Sequence, residues 1–235
     1  MHTMDTVDSM DKIKNHFEEE AAQYDGIIKN LIPYYYQMVE AIVNTLPFSR
    51  SEDFEVIDLG CGTGTISRAV KDAYPKAKIT CVDISGKMLQ IAAGKLNDVQ
   101  DAIYINSDFY EFNFGRKYDV VVSSLALHHL VTNEDKLDFY RKIYSSLNTG
   151  GIFINADVVL ASTEILQECF MEQWKNFMCI NVPMDEVESK WIQTYYDEDR
   201  PVSMMEHFDM LKDAGFETMD VVWKYYNFAV YMAVK

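Results

Sequence analysis

From residue 54 to residue 158 short apolar runs alternate with longer stretches whose apolar positions recur every third or fourth residue. The runs Phe54–Leu59, Lys78–Val82, about Ala102–Asn106, Tyr118–Ser123 and Ile152–Val158 read as buried strands. Between them lie predicted helices over Thr65–Tyr74, from Ser85 as N-cap to about Leu96, and over Asn133–Leu147. The last opens on Thr132-x-x-Asp135, a capping-box spacing, and Asn148 to Gly151 reads as the turn after it. Strands alternating with helices predict an α/β fold built on a parallel sheet.

The flanks differ. Residues 9–23 place Ile13, Phe17 and Ala21 at steps of four, a helix expected to end at Tyr24-Asp25-Gly26. A second helix is expected from Pro33 to Pro47, with Tyr35, Met38, Val39, Ile42, Val43 and Leu46 on one face. Tyr34, Tyr35 and Tyr36 cannot all face inward, so at least one meets solvent, a ligand or a second copy of the chain. Residues 163–197 read as one or two helices rich in Met and aromatics, including Met171, Trp174, Trp191 and Tyr195. These side chains serve either an adaptable apolar pocket or ordinary core packing. Ser203-Met204-Met205-Glu206 is a second capping box, opening a helix to Gly215, and strands over about Phe216–Tyr225 and Tyr226–Val234 close the chain.

Composition narrows the classes. The 235 residues suffice for one α/β domain, 49% are hydrophobic and 25% charged, and no apolar run is long enough to span a membrane. The polar, acidic start resembles neither a signal nor a transit peptide, so a cytoplasmic location is expected. Cys61, Cys81, Cys169 and Cys179 show neither a C-x-x-C pair nor zinc spacing, and reduced, packed thiols are expected. The net charge of -16 disfavours nucleic acid as a partner. Residues 163–220 hold 14 Asp and Glu against 4 Lys and Arg, which suits a neutral or cationic small molecule.

The candidate chemistry starts at Asp58-Leu59-Gly60-Cys61-Gly62-Thr63-Gly64. Strand, glycine turn and helix form a ligand-binding unit at the carboxyl edge of a doubly wound sheet. The G-x-G-x-G spacing is one residue short of the dinucleotide fingerprint. Three acids end strands: Asp58 before the turn, Asp83 after strand 2, and Asp108 after strand 3, followed by Phe109. A carboxylate at Asp83 can accept from both hydroxyls of a ribose. Asp108 with Phe109 suits an exocyclic amine and a flat ring. Asp58 can hold the glycine loop or receive an ammonium. Three acids would repel a pyrophosphate and attract a cation.

On these residues the chain resembles the class I S-adenosylmethionine (SAM)-dependent methyltransferases. Val56 to Gly64, with Cys61, Thr63 and Gly64 in the loop, matches their motif I. Val82-Asp83-Ile84-Ser85 matches the ribose-binding motif, with Met88 in the turn that follows. Ser107-Asp108-Phe109 matches the adenine motif, and Tyr118 to Leu130 matches motif IV and its loop. The resemblance implies that Ser124, Leu125 and Ala126 lie along the methionine part of SAM, and that Tyr24, in an A-x-x-Y-D stretch, belongs to helices capping the pocket. It also implies a three-layer sandwich: a Rossmann-like, seven-stranded, mostly parallel sheet with a C-terminal antiparallel hairpin.

The expected organisation is a single domain, with a helical cap over 1–48, a SAM-binding core over 49–160, a helical lid over 161–202, and a closing helix and strands over 203–235. The expected activity is methyl transfer from SAM to O, N or S of a small molecule, with S-adenosylhomocysteine as product and no metal. His128 and His129 are the candidate bases, since imidazole titrates near neutrality. Two adjacent histidines are not by themselves a metal site. Tyr35, Met171, Trp174, Trp191 and Tyr195 are the candidate acceptor-side residues. A homodimer is the expected outlet for exposed aromatics. Two further readings stay open. Tyr226-Asn227-Phe228 and the helix before it are similar to the carboxy-SAM synthase branch, which needs a basic residue; the lid offers Lys175, Lys190 and Arg200. The other reading is a SAM-binding protein without catalysis.

Overall fold

The computed structural model describes residues 4–235; residues 1–3 of the expected cap lie outside the described residues. Seven strands form one sheet: β1 (Glu55–Leu59), β2 (Lys78–Asp83), β3 (Ile103–Asn106), β4 (Tyr118–Ser124), β5 (Leu147–Val158), β6 (Thr218–Tyr225) and β7 (Phe228–Val234). Their order is β3-β2-β1-β4-β5-β7-β6. The first five run parallel, and β7 pairs antiparallel with both β5 and β6. Strand order reverses between β1 and β4, and that switch point opens a crevice at their carboxyl ends.

Burial on both faces explains the mostly apolar runs of the central strands, whereas β3, predicted as buried, lies at the sheet edge and is only partly covered. Val56, Val120, Val122, Ile152 and Ile154 enter one core with α3 (Tyr35–Asn44), α4 (Thr65–Ala73) and α5 (Gly86–Lys95). Ile57, Val121 and Phe153 enter the other, with α6 (Asn133–Ser146) and α10 (Met204–Ala214). Neighbours in sequence thus serve opposite layers, as the pleat requires. The predicted caps form: Ser85 accepts from Met88 N, and Thr132 and Ser203 each close a full capping box.

Several predicted boundaries move. Helix α1 (Met4–Glu20) does not stop at Tyr24-Asp25-Gly26; a 3-10 turn over Ala21–Gln23 leads straight into α2 (Tyr24–Leu31). Asp25 sits in the first turn of α2, where a carboxylate favours the helix N-terminus, and Gly26 is tolerated inside it. Helix α3 starts at Tyr35 rather than Pro33, because Tyr34 takes a left-handed conformation (φ 54) with its ring 4.7 Å from that of Tyr225. No separate turn spans Asn148 to Gly151. Strand β5 follows α6 directly and absorbs the change as a register shift against Tyr118 and Val120. The closing strands begin two residues later than predicted, at Thr218 and Phe228.

The 163–197 region forms α7 (Glu164–Met178), one turn α8 (Met184–Glu186), a π-helical stretch Val187–Ile192 and α9 (Gln193–Glu198). Trp174 donates from Nε1 to Leu31 O at 2.7 Å, which docks this lid on α2. No helix among the described residues is long and apolar enough to cross a membrane.

Candidate functional site

The glycine loop is fixed by backbone bonds before any ligand is considered. The N–H groups of Gly60 and Cys61 both donate to Val82 O, at 2.8 and 3.0 Å. Gly62 N donates to Asp83 Oδ2 and Ser85 N to Asp83 Oδ1, each at 2.8 Å. Asp83 therefore joins the loop to the end of β2. Burial pushes its carboxyl up to about 6, against the lowering effect of those two N–H bonds. Each oxygen keeps a further acceptor site. Gly60 has φ +68, and a Cβ there would stand 2.3 Å from Ala126 Cβ, so the loop can lie against the segment after β4 only without a side chain.

A cavity of about 520 Å³ opens beside this loop. Tyr24, Gly60, Gly62, Asp83, Ile84, Met88, Ser107, Asp108, Phe109, Ser124, Leu125, Ala126 and His129 line it. Asp108 Oδ1 accepts from the N–H groups of Tyr110 and Glu111, at 2.7 and 2.9 Å, and this holds the carboxylate beside Phe109. A smaller recess continues past the loop and is lined by Asp58, Cys61, Thr63, Thr65 and Tyr35, with Tyr24 shared. There Ser67 Oγ donates to Asp58 Oδ2 at 2.6 Å, while the buried Oδ1 has no hydrogen-bond partner. Burial pushes the Asp58 carboxyl up to about 7, more than the Ser67 bonds bring it down.

A second cavity, of about 720 Å³, lies between the lid and the N-terminal helices. Its aromatic wall is Phe17, Tyr24, Trp174, Trp191, Tyr195 and Phe228; its polar groups are His16, Glu20, His128, His129, Thr194, Glu198 and Asp199. Phe17, Tyr24, Leu125 and His129 line both large cavities, so the two meet at these four residues. No Lys or Arg lines either cavity among the described residues.

The two histidines differ. His128 Nδ1 lies 2.5 Å from Asp157 Oδ1, and its Nε2 lies 3.4 Å from Asp199 Oδ1. Burial alone would lower its pKa, but the charges of Asp199 and Asp157 outweigh that and raise it to about 10. His129 is lowered to about 4 by burial and then by the charge of His128. Its Nδ1 faces the Glu198 carbonyl at 3.4 Å, and its buried Nε2 has no hydrogen-bond partner.

Most of the residues singled out in the sequence meet here, with four differences of role. Tyr35, expected on the acceptor side, lines the recess beside Asp58 and not the second cavity. Gly64 lines neither cavity nor the recess; at φ +78 it lets α4 approach α5, where an added Cβ would stand 2.9 Å from Ala92 Cβ. Thr63 Oγ1 donates to Asp25 Oδ1 at 2.5 Å, and Lys95 Nζ clamps Asp25, Thr63 and Thr65, so this hydroxyl ties the loop to α2. Met171 is buried but stands behind the cavity wall.

The expected N-terminal cap forms the roof, through residues that the sequence did not single out for the site. Met10, Ile13 and Phe17 of α1 close the first cavity, and His16 Nδ1 meets Glu198 Oε2 of α9 at 2.6 Å over the second. The step-of-four pattern of Ile13 and Phe17 predicts a buried face, not what it covers. Asp199 gave no local signal, because its histidine partners are distant in sequence.

Comparison with known proteins agrees with this geometry. Residues 56–151 match the family described as "Methyltransferase domain". Over nearly their whole lengths, curated relatives named carboxy-S-adenosyl-L-methionine synthase are similar. The Campylobacter hominis protein is 29% identical (95% of this chain, 97% of its own). The Campylobacter lari protein is 26% identical (92% of each). Among solved structures, the DhpI-SAM-HEP complex shares the fold, with TM-score 0.67, 16% identity and full coverage of both chains. That domain match, those relatives and this sheet order support a class I SAM-dependent methyltransferase.

Proposed function

We propose that the protein binds SAM in the first cavity and transfers its methyl group to an O, N or S atom of a small molecule held in the second. The carrying observation is that the two cavities meet at Phe17, Tyr24, Leu125 and His129. When bound, SAM supplies an activated methyl on a sulfonium. The chain's own residues do the rest. Asp83 accepts from the ribose hydroxyls, Asp108 and Phe109 take the adenine edge and face, and the unpartnered Asp58 Oδ1 takes the ammonium in the recess. The acidic lining suits a cationic nucleoside better than a dinucleotide.

The roof of α1 and the lid exclude water and align the acceptor, which suffices for much of the rate of a methyl transfer. Of the two histidines, His129 is the one placed to take the acceptor's proton. Its Nδ1–H is directed at the Glu198 carbonyl, which leaves the Nε2 lone pair free where the cavities meet. His128 is held between Asp157 and Asp199 and orients its neighbour. The aromatic wall and the lining carboxyl groups of Glu20, Glu198 and Asp199 favour a flat, neutral or cationic acceptor.

A second reading, a carboxy-SAM synthase-like enzyme, is favoured by the names and near-complete coverage of the relatives. It requires a cation for the added carboxylate. The lid's three candidates are engaged elsewhere: Lys175 with Glu188, Lys190 with Glu20, and Arg200 with the carbonyls of Asp197 and Asp199. Mass analysis of the ligand that copurifies separates the readings. SAM or S-adenosylhomocysteine is expected; a carboxylated SAM supports the second reading, and NAD overturns both.

A further inference from the structure

The three polar atoms that converge on the inner wall of the second cavity are poorly matched as hydrogen-bonding partners. Asp199 Oδ1 lies 3.4 Å from His128 Nε2 and 3.6 Å from His129 Nδ1. Both separations exceed the ~2.7–3.2 Å of an N–H···O bond. They fall close to the edge of a tetrahedral metal site, which is about 3.3 Å when metal–N and metal–O bonds are about 2.0–2.2 Å. One donor atom from each residue lies within 4.8 Å of the others, and all three residues line the cavity. We propose that His128 Nε2, His129 Nδ1 and Asp199 Oδ1 form a binding site for one divalent transition-metal ion, with the remaining coordination position open to the second cavity.

Two independent features support it. Asp157 Oδ1 lies 2.5 Å from His128 Nδ1, so His128 holds its proton on Nδ1 and presents Nε2 as a ligand. A carboxylate behind a ligating imidazole is the usual second partner of such sites. Asp157 is itself fixed, accepting from Val158 N at 2.9 Å and Asn155 Nδ2 at 3.1 Å. A dication bound here displaces the Nε2 proton of His128, after which the carboxylates of Asp157 and Asp199 face two neutral imidazoles and the ion. Two histidines and one carboxylate with open positions suit zinc, iron or cobalt rather than calcium or magnesium.

Occupancy changes how the site treats an acceptor. A hydroxyl or thiol on the open position is made more acidic by the ion. His129 then carries its hydrogen on Nε2 and donates rather than accepts.

The test uses the full-length chain, stripped with a chelator and titrated with zinc by calorimetry. Saturable binding of one zinc per chain is expected, weakened at least tenfold by Asp199→Asn and little changed by His16→Gln, which alters a histidine outside the set. X-ray absorption of the zinc-loaded wild type should show two imidazoles in a four-coordinate shell, a readout that stands even if Asp199→Asn fails to fold. Absence of saturable binding, a folded Asp199→Asn with wild-type affinity, or a zinc shell without paired imidazoles would overturn the site. None of these outcomes touches SAM binding, so failure here is distinguishable from failure of the methyl-transfer reading.

Discussion

Gly60→Ala is a sharp test of how closely the glycine loop lies against the segment after β4. The added methyl would stand 2.3 Å from Ala126 Cβ and 3.3 Å from the Phe109 ring. Carbon atoms settle at ~3.5–4.0 Å, so one side must move by about 1.2 Å. Both sides are constrained: the loop by its bonds to Val82 O, and the Ala126 segment by Leu125 N donating to Ala156 O at 2.8 Å. The clash costs about 1–3 kcal/mol as overpacking. The φ of +68 costs a side chain about 1–2 kcal/mol more. The sum is about 2–5 kcal/mol, or a fall in Tm of about 4–20 °C for a chain of this size. Gly62→Ala is the internal control. Its φ is +51, but the nearest atom is Tyr24 Cε1 at 3.9 Å, so only the conformational cost of about 1–2 kcal/mol applies. Paired thermal or urea unfolding should rank Gly60→Ala well below Gly62→Ala. Equal losses would refute the close approach.

Asp83→Ala should weaken SAM binding more than tenfold in a calorimetric titration while the far-ultraviolet circular dichroism stays native; unchanged affinity removes Asp83 from the site. Asp58 gives a pH signature. Its native carboxyl titrates near 7 against 3.8 when unperturbed, so the folded state holds the proton through that window and stability falls as pH rises across it. Urea unfolding at about pH 5 and about pH 8 should show a loss that Asp58→Asn reduces, and an undiminished loss in that variant would reject the assignment. Trp174→Ala removes a buried wall of the second cavity and the bond to Leu31 O, and should cost about 3–5 kcal/mol in urea unfolding. A loss below about 1 kcal/mol would mean that the lid does not rest on this residue.

What was legible in the sequence was local. Ser85, Thr132 and Ser203 announce their helices because a cap and its partner lie three residues apart. The central strands β1, β4 and β5 announce themselves because burial on both faces keeps most of their positions apolar. Asp83 and Asp108 were readable as site residues because a strand's carboxyl end fixes where its last side chain can stand. The misreadings involve interactions across the chain. Tyr34 adopts its left-handed conformation against Tyr225, a residue of the last hairpin. Gly64 answers to Ala92 on another helix rather than to a ligand. The roof made by Ile13 and Phe17, and the meeting of Asp199 with His128 and His129, depend on where the cap and lid come to rest. Periodicity marks a face as buried without naming its neighbour.

The central claim is that one cavity holds SAM while its neighbour holds the group that receives the methyl. The most direct measurement is mass spectrometry of the full-length protein incubated with methyl-labelled SAM and a panel of neutral and cationic aromatic acceptors. S-adenosylhomocysteine is expected in equal amount to a labelled, methylated acceptor. No S-adenosylhomocysteine with any acceptor, or SAM recovered unbound and unchanged, would contradict the claim.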